Sequence, residues 1–164
     1  MKKLLLFAIL AFTLAPHAHA QTAQETAQWL NAKLKAAMYF GVIAGDTSIS
    51  TTSVNSHTMY SLNGNTGEFS DWVDAFSVSF GDLTDVSSKS GYENDGKGQV
   101  PVTLIILTGK VSQCVQQQPC QDEPFVAIDL NSSTPPETVN SIVKALKHIA
   151  QLNGARMVND DLFK

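Results

Sequence analysis

The chain's two cysteines stand between its two most apolar strand-like segments, and this arrangement limits the fold more than any other feature. VPVTLIILTG, beginning at Val100, is dense in β-branched residues, and PFVAIDL, beginning at Pro124, is similar. Both compositions are typical of β-strands. CVQQQPC, running from Cys114 to Cys120, lies between them. The order predicts an antiparallel hairpin with the two cysteines near its tip.

The spacing of the cysteines indicates a structural role. A redox-active pair is normally spaced C-x-x-C, and a zinc site needs further Cys or His ligands that this chain lacks nearby. In an oxidising compartment two such thiols pair, and closing a ring of about seven residues stabilises the fold by roughly 2 kcal/mol. We therefore expect a disulfide between Cys114 and Cys120, and neither a metal site nor a cofactor.

The N-terminus has the three parts of a secretory signal peptide. Lys2 and Lys3 are followed by an apolar run from Leu4 to Leu14, and then by the small–x–small pattern that ends at Ala20. The run is shorter than the ~20 residues that span a bilayer. We predict that residues 1–20 are cleaved and that the protein is exported, periplasmic or secreted, with no integral membrane segment in the mature chain.

Charge and composition exclude several classes of protein. The full chain has a net charge of −4, which becomes −6 when Lys2 and Lys3 leave with the signal. An acidic chain without a basic cluster is a poor partner for nucleic acid, so we expect no nucleic-acid binding. The chain has 43% hydrophobic residues, so the part that remains after cleavage can form one domain. We place that domain at residues 21–155 and a C-terminal tail at 156–164.

Two amphipathic helices are predicted at the ends of the domain. Thr22 and Glu25 have the spacing of a capping box, and apolar residues at helical spacing extend the first helix to about residue 38. The second helix follows the sequence STPPETVNSIVKALKHIAQLNGA, with Thr134 as the expected N-cap. Its polar residues, Lys147 among them, are expected to face solvent.

The segments between the helices predict an antiparallel sheet. FSVSF, residues 76–80, alternates apolar and polar side chains as a half-buried strand does. The polar run 87–99 is either part of a hairpin with its tip at residues 94–96 or a mobile loop. We therefore expect an α+β fold: an antiparallel curved sheet or partly open barrel flanked by an N-terminal and a C-terminal amphipathic helix.

The order of elements resembles a known class of domain. An early Trp-Leu-x-x-Lys-Leu helix (residues 29–34) precedes a meander of strands, and FVAIDL…VNSIVKALKHIAQLNGA closes the chain. This pattern resembles exported bacterial domains with a pleckstrin-homology-like fold. The resemblance implies a seven-stranded bent sheet capped by the C-terminal helix, and a binding role more often than a catalytic one.

Two pairs of acidic residues are the first candidates for chemistry. Asp71 and Asp74 flank Trp72, and Asp82 and Asp85 follow the FSVSF strand. Either pair could supply the acid and base of a glycosidase, whose carboxyl groups lie ~5–9 Å apart. The plainer interpretation is that these acids are exposed at strand ends and turns.

Other candidate residues are better explained by local structure. His57 has no carboxylate or cysteine at a motif spacing, and His148 is expected on the polar, solvent-facing side of the second helix. DLNSS at 129–133 resembles a calcium loop but has Thr134 where glycine is required. No nucleophile motif, phosphate loop or dinucleotide fingerprint is present. We assign no catalytic, cofactor-binding or metal-binding residue.

These observations favour a small exported, non-catalytic binding or interaction module. Its partner is an unknown protein or small-molecule ligand, and Tyr92, in the polar run, is the expected exposed contact residue. Two alternatives stay open. One is an envelope or carbohydrate hydrolase that uses a carboxylate pair, so whether the chain is an enzyme is not decided. The other is a structural or inhibitory subunit of an envelope complex.

Overall fold

The computed structural model describes residues 22–39, 43–63, 68–69, 74–94, 98–115 and 119–158. The predicted signal peptide, residues 1–20, lies outside this part of the chain, as does Trp72. Within the described ranges no helix is long and apolar enough to cross a membrane.

The structure is α+β, as predicted. An open, curved antiparallel sheet follows one helix in the chain and precedes the other. Its elements in chain order are α1 (Ala23–Ala37), β1 (Ile43–Ile49), β2 (Ser53–Asn63), β3 (Glu68–Phe69), β4 (Asp74–Asn94), β5 (Gln99–Val115), β6 (Gln121–Asn131) and α2 (Pro136–Leu152). The five longer strands follow the order β1-β2-β4-β5-β6, and β3 pairs with β2. The described residues thus contain six strands, whereas the pleckstrin-homology-like resemblance implies seven.

The long hairpin of β4 and β5 dominates the sheet. β4 has 21 residues and β5 has 17, and their pairing continues to Asn94 opposite Gln99. The polar run beginning at Ser87 is therefore one side of a hairpin and not a loop. Residues 87–94 are held as a strand because each lies opposite a residue of the strongly strand-forming β5; residues 95–96 of the predicted tip lie outside the described part of the chain.

The hairpin changes register near Gly109, where the backbones of its two strands lie close together. The pairing shifts between Val78 and Asp85, and Gly109 of β5 has a φ of 154°. A Cβ at Gly109 would overlap the carbonyl oxygen of Asp82 and lie 2.9 Å from the Cα of Leu83. Only glycine combines this φ with this contact, so Gly109 permits the irregularity that bends the sheet.

Both helices pack on the same face of the sheet, which we call the inner face. Asn31 attaches α1 to β1, because its side chain donates to the Ile49 carbonyl at 2.7 Å and accepts from the Ile49 N–H at 2.8 Å. The fully buried large side chains of the core include Leu30 and Leu34 from α1, Phe80 and Leu83 from β4, Ile105 and Leu107 from β5, Leu130 from β6, and Ile142, Leu146 and Ile149 from α2.

The predicted N-terminus is confirmed for α1 and is wrong by one residue for α2. The Thr22–Glu25 capping box is present at α1, but α2 begins one residue later than expected. Pro135 occupies its N-cap position, without a side-chain cap, and Thr134 is not the cap. Thr134 instead belongs to the preceding turn, where its N–H donates to the Asn131 carbonyl at 2.9 Å.

Two expectations about the C-terminal region differ from the structure. Lys147 does not face solvent, since only 9% of its side chain is exposed and its amino group lies 3.1 Å from the carboxylate of Asp85. Residues 156–158, which we assigned to a tail, contact the domain: Met157 is buried in the core. The N–H of Val158 donates to the Thr84 carbonyl at 2.9 Å. Residues 159–164 lie outside the described part.

Candidate functional site

An apolar stripe crosses the outer face of the sheet, the face opposite the helices. Leu104 and Ile106 of β5 lie opposite Asp129 and Ala127 of β6, and residues opposite each other in an antiparallel pair share a face. Phe125, two residues before Ala127 on β6, lies on the same face and is 55% exposed. We call Leu104, Ile106, Phe125 and Ala127 the outer-face stripe; none of them belongs to the core or packs against it.

The stripe follows from the composition of β5. TLIILT, residues 103–108, is apolar at four consecutive positions, although side chains alternate between the two faces of a strand. Ile105 and Leu107 are fully buried beneath the helices. Leu104 and Ile106 must therefore lie on the side that no helix covers, where they are half-buried.

One end of the outer face is closely packed. Val102 shares this face with Leu104 and is only 2% exposed, yet it is not part of the core cluster. Gly91 of β4 lies against Leu104, so that a Cβ at Gly91 would be 2.7 Å from the Leu104 Cδ1. The end of the β4–β5 hairpin is thus compact on its outer side, and two carboxyl groups meet there.

Glu93 of β4 and Asp129 of β6 form a carboxyl pair at this end. The pKa of Asp129 is raised from 3.8 to about 6, first by burial, then by the charge of Glu93, and then by a hydrogen bond between the two carboxyl groups. Burial and a like charge both disfavour ionisation. The ion pairs of the described residues, Lys110–Asp122 and Lys147–Asp85, involve neither carboxyl.

This pair can act as an acceptor of positive charge. Above the pKa of Asp129 the two carboxylates concentrate negative charge beside the outer-face stripe, and an ammonium or guanidinium group placed there would relieve their repulsion. At lower pH the proton on Asp129 takes over that role. The site thus combines an apolar surface with a pair of carboxyl groups that a bound cation or a proton would stabilise.

The predicted disulfide is present in the structure between Cys114 and Cys120. Gln113 and Gln121 are the last residue pair of the β5–β6 ladder; Cys114 directly follows Gln113, and Cys120 directly precedes Gln121. The disulfide therefore ties the end of that hairpin, as the sequence predicts.

Tyr92, the predicted exposed contact residue, is 69% exposed. It lies next to Glu93 on β4, and since side chains alternate along a strand, its ring is on the opposite face from the carboxyl pair. Tyr92 therefore does not contribute to the outer-face stripe. Its role as a contact residue stays a prediction.

The acidic pairs proposed from the sequence are not the carboxyl groups that meet. Asp85 is engaged by Lys147, and Asp82 is exposed. Asp71 and the side chain of Asp74 lie outside the described residues. Glu93 and Asp129 were not predicted as a pair, because they are far apart in sequence and no local pattern relates them.

The remaining candidates have local roles. The Asn131 side chain accepts hydrogen bonds from the N–H of Ser133 at 3.0 Å and from its hydroxyl at 2.8 Å, and so organises the turn before α2. His57 is exposed on β2, and His148 is half-buried on α2. Across the described ranges, no group of three or more His, Cys, Asp or Glu side chains could hold a metal ion.

Comparisons with known proteins give no relative. No protein-family model matches the chain, and no curated protein or solved structure matches it significantly.

Proposed function

We propose that this protein is a small exported binding module that takes a peptide or protein segment carrying apolar and basic side chains on the outer face of its sheet. The observation that carries this proposal is the outer-face stripe ending at the Glu93–Asp129 pair. Apolar side chains of a partner would cover the stripe, and a basic side chain would neutralise the pair.

The residues of the stripe support a binding role over a purely structural one. Phe125 is 55% exposed on β6, where it lies opposite Thr108 of β5, and a large exposed aromatic side chain is a common anchor of protein interfaces. None of the four stripe residues packs against the hydrophobic core. The apolar character of the stripe is therefore not explained by the stability of this domain alone.

The alternative of a carboxylate-pair hydrolase is favoured by one observation, the raised pKa of Asp129. A general acid needs such a shift. The two carboxyl groups, however, are close enough to hydrogen-bond with each other. A glycosidase instead keeps its carboxyl groups ~5–9 Å apart, which leaves room for the sugar or water between them. A binding role does not require that separation between the two carboxyl groups, so it fits the pair better.

Titration with defined peptides tests the proposal. An octapeptide alternating Arg and Leu is added to the protein at neutral pH and followed by calorimetry, with the Glu/Leu octapeptide as the charge-reversed comparison. We expect the Arg/Leu peptide alone to bind, and the double variant F125S/D129N to weaken its binding at least ~10-fold. L152S is the matched control, since Leu152 is 52% exposed but lies on α2.

Two results would contradict the proposal: equal binding of both peptides, or binding by F125S/D129N as tight as that of the unchanged protein. Native mass spectrometry of the protein from its own host's exported fraction is a separate test. Loss of a small bound mass on denaturation would identify a ligand, whereas a stoichiometric protein partner that F125S/D129N still retains would favour the envelope-subunit alternative.

A further inference from the structure

One edge of β4 has no neighbouring strand over about half of its length. β2 pairs with β4 only from Asp74 to Ser79, while the β4–β5 ladder continues to Asn94. On the β2 side, the Phe80 N–H donates to the Thr52 carbonyl, and the Thr84 carbonyl accepts from Val158. Beyond these contacts, residues 85–94 have no strand partner on that side within the described ranges.

The side chains along this open edge carry a self-complementary charge pattern. The edge reads DVSSKSGYEN from Asp85, and Lys89 and Glu93 lie two residues on either side of Gly91. Since side chains alternate, Lys89 and Glu93 point to the same outer face. They are about 13 Å apart along an extended strand, too far to pair within one chain.

We propose that two copies of this chain associate by antiparallel pairing of their β4 edges about a two-fold axis at Gly91. In this register Lys89 of each copy lies opposite Glu93 of the other, so the dimer gains two cross-strand ion pairs. An isologous contact of this kind closes on itself and cannot extend into a fibre.

The charges favour this register over the two in which Lys89 or Glu93 lies at the axis. Pairing centred on Lys89 would place two lysines opposite each other, and pairing centred on Glu93 would place two glutamates together; like charges directly opposite are destabilising. Gly91 at the axis adds no side chain where the two backbones approach. The exposed ring of Tyr92 then lies opposite Ser90 of the second copy, on the inner-face side, and is partly covered.

The pairing also places a cation beside the carboxyl pair. Glu93 already adjoins Asp129, and their mutual repulsion is relieved by neither ion pair of the described residues. Lys89 of the second copy would bring a positive charge to this point. Because an edge contact of about ten residues buries less than a stable interface of ~1,200 Å² or more, we expect weak, concentration-dependent association.

Charge reversal tests the register directly. Sedimentation velocity at about 50 mM salt, where surface charges are little screened, is run on the full chain and on K89E, E93K and K144E. We expect the unchanged protein and K144E to dimerise alike, because Lys144 is exposed on α2 and is not part of the paired strand. K89E and E93K should each dimerise at least ~10-fold more weakly, since each places like charges opposite.

Mixing the two single variants gives the decisive result. A K89E copy carries acids at both positions and an E93K copy carries bases, so every opposite pair in their heterodimer is complementary. We expect the mixture to dimerise although neither variant does so alone, which also shows that both are folded. A monomeric unchanged protein at about 1 mM overturns the proposal; so does full dimerisation of K89E, or a mixture that stays monomeric.

The inference shares Glu93 with the proposed peptide site, but it does not require that site to bind a peptide. K89E leaves the outer-face stripe intact, and F125S/D129N leaves the β4 edge with its Lys89 and Glu93 unchanged. Failure of the mixing experiment therefore removes the dimer and not the peptide site, and failure of the peptide titration removes the site and not the dimer.

Discussion

The amino group of Lys147 on α2 lies 3.1 Å from Oδ1 of Asp85 on β4, with 9% of the lysine side chain and 24% of the aspartate side chain exposed. Oδ1 of Asp85 is buried and has no hydrogen-bond partner. The two groups are therefore within ion-pair distance but do not have the geometry of a hydrogen bond. The pair holds the last helix to the part of β4 that β2 does not cover.

Removing one partner of this ion pair should destabilise the fold. We expect K147A to lower the free energy of unfolding by about 1–3 kcal/mol, because Asp85 would keep a buried charge without its cation. The double variant K147M/D85L should recover most of that loss, since apolar side chains of similar size need no partner. Urea denaturation measures both. K144A is the control and should stay within about 0.5 kcal/mol; an equal effect of K147A would show that the ion pair contributes nothing.

Substitution of Gly109 should be among the most damaging single changes in the sheet. G109A places a Cβ against the Asp82 carbonyl and strains a backbone φ of 154°, so we expect a loss of at least about 3 kcal/mol or failure to fold. G98A is the matched control, because nothing lies within 4 Å of a Cβ built at Gly98. Thermal unfolding followed by circular dichroism compares them. A melting temperature for G109A near that of G98A would refute this account of the bend.

Loss of the disulfide should act locally. C114S/C120S opens a ring of about seven residues, and we expect a loss of about 2 kcal/mol with the fold retained. Hydrogen exchange should rise first around Gln113 and Gln121, the pair next to the disulfide, while amides of the core in α2 stay protected. Uniformly faster exchange across the sheet would instead indicate that the disulfide supports the whole domain.

The carboxyl pair predicts how stability depends on pH. The pKa of Asp129 is about 6 in the folded protein, against an ordinary value of 3.8, so between these two values the folded state binds more protons than the unfolded state. The free energy of unfolding should therefore fall as pH rises from about 4 to about 6, by about 1–2 kcal/mol after allowance for solvent screening.

The variant D129N isolates this contribution. It should flatten the slope between about pH 4 and 6 and stabilise the protein at pH 7, since an amide next to Glu93 carries no like charge. Urea denaturation across the pH range provides the comparison. D122N is the control on the same strand, because Asp122 is 64% exposed. An unchanged slope in D129N would mean that other groups set the pH dependence.

Many features of the fold were predictable because their signals are local. The Thr22–Glu25 capping box, the apolar spacing of both helices, and the β-branched run of β5 each lie within a short stretch of chain. The disulfide was predictable too, because Cys114 and Cys120 are the chain's whole supply of cysteine. These local signals were sufficient for the α+β class and for the order of the elements.

Only the tertiary structure decided which side chains meet. Glu93 lies beside Asp129, and Lys147 contacts Asp85 rather than solvent, although the members of each pair are far apart in sequence. No local pattern carries a register, since a shift of one residue would exchange the two faces of a strand while leaving its sequence the same. The polar run from Ser87 shows the same principle: its partner strand, and not its own composition, makes it a strand.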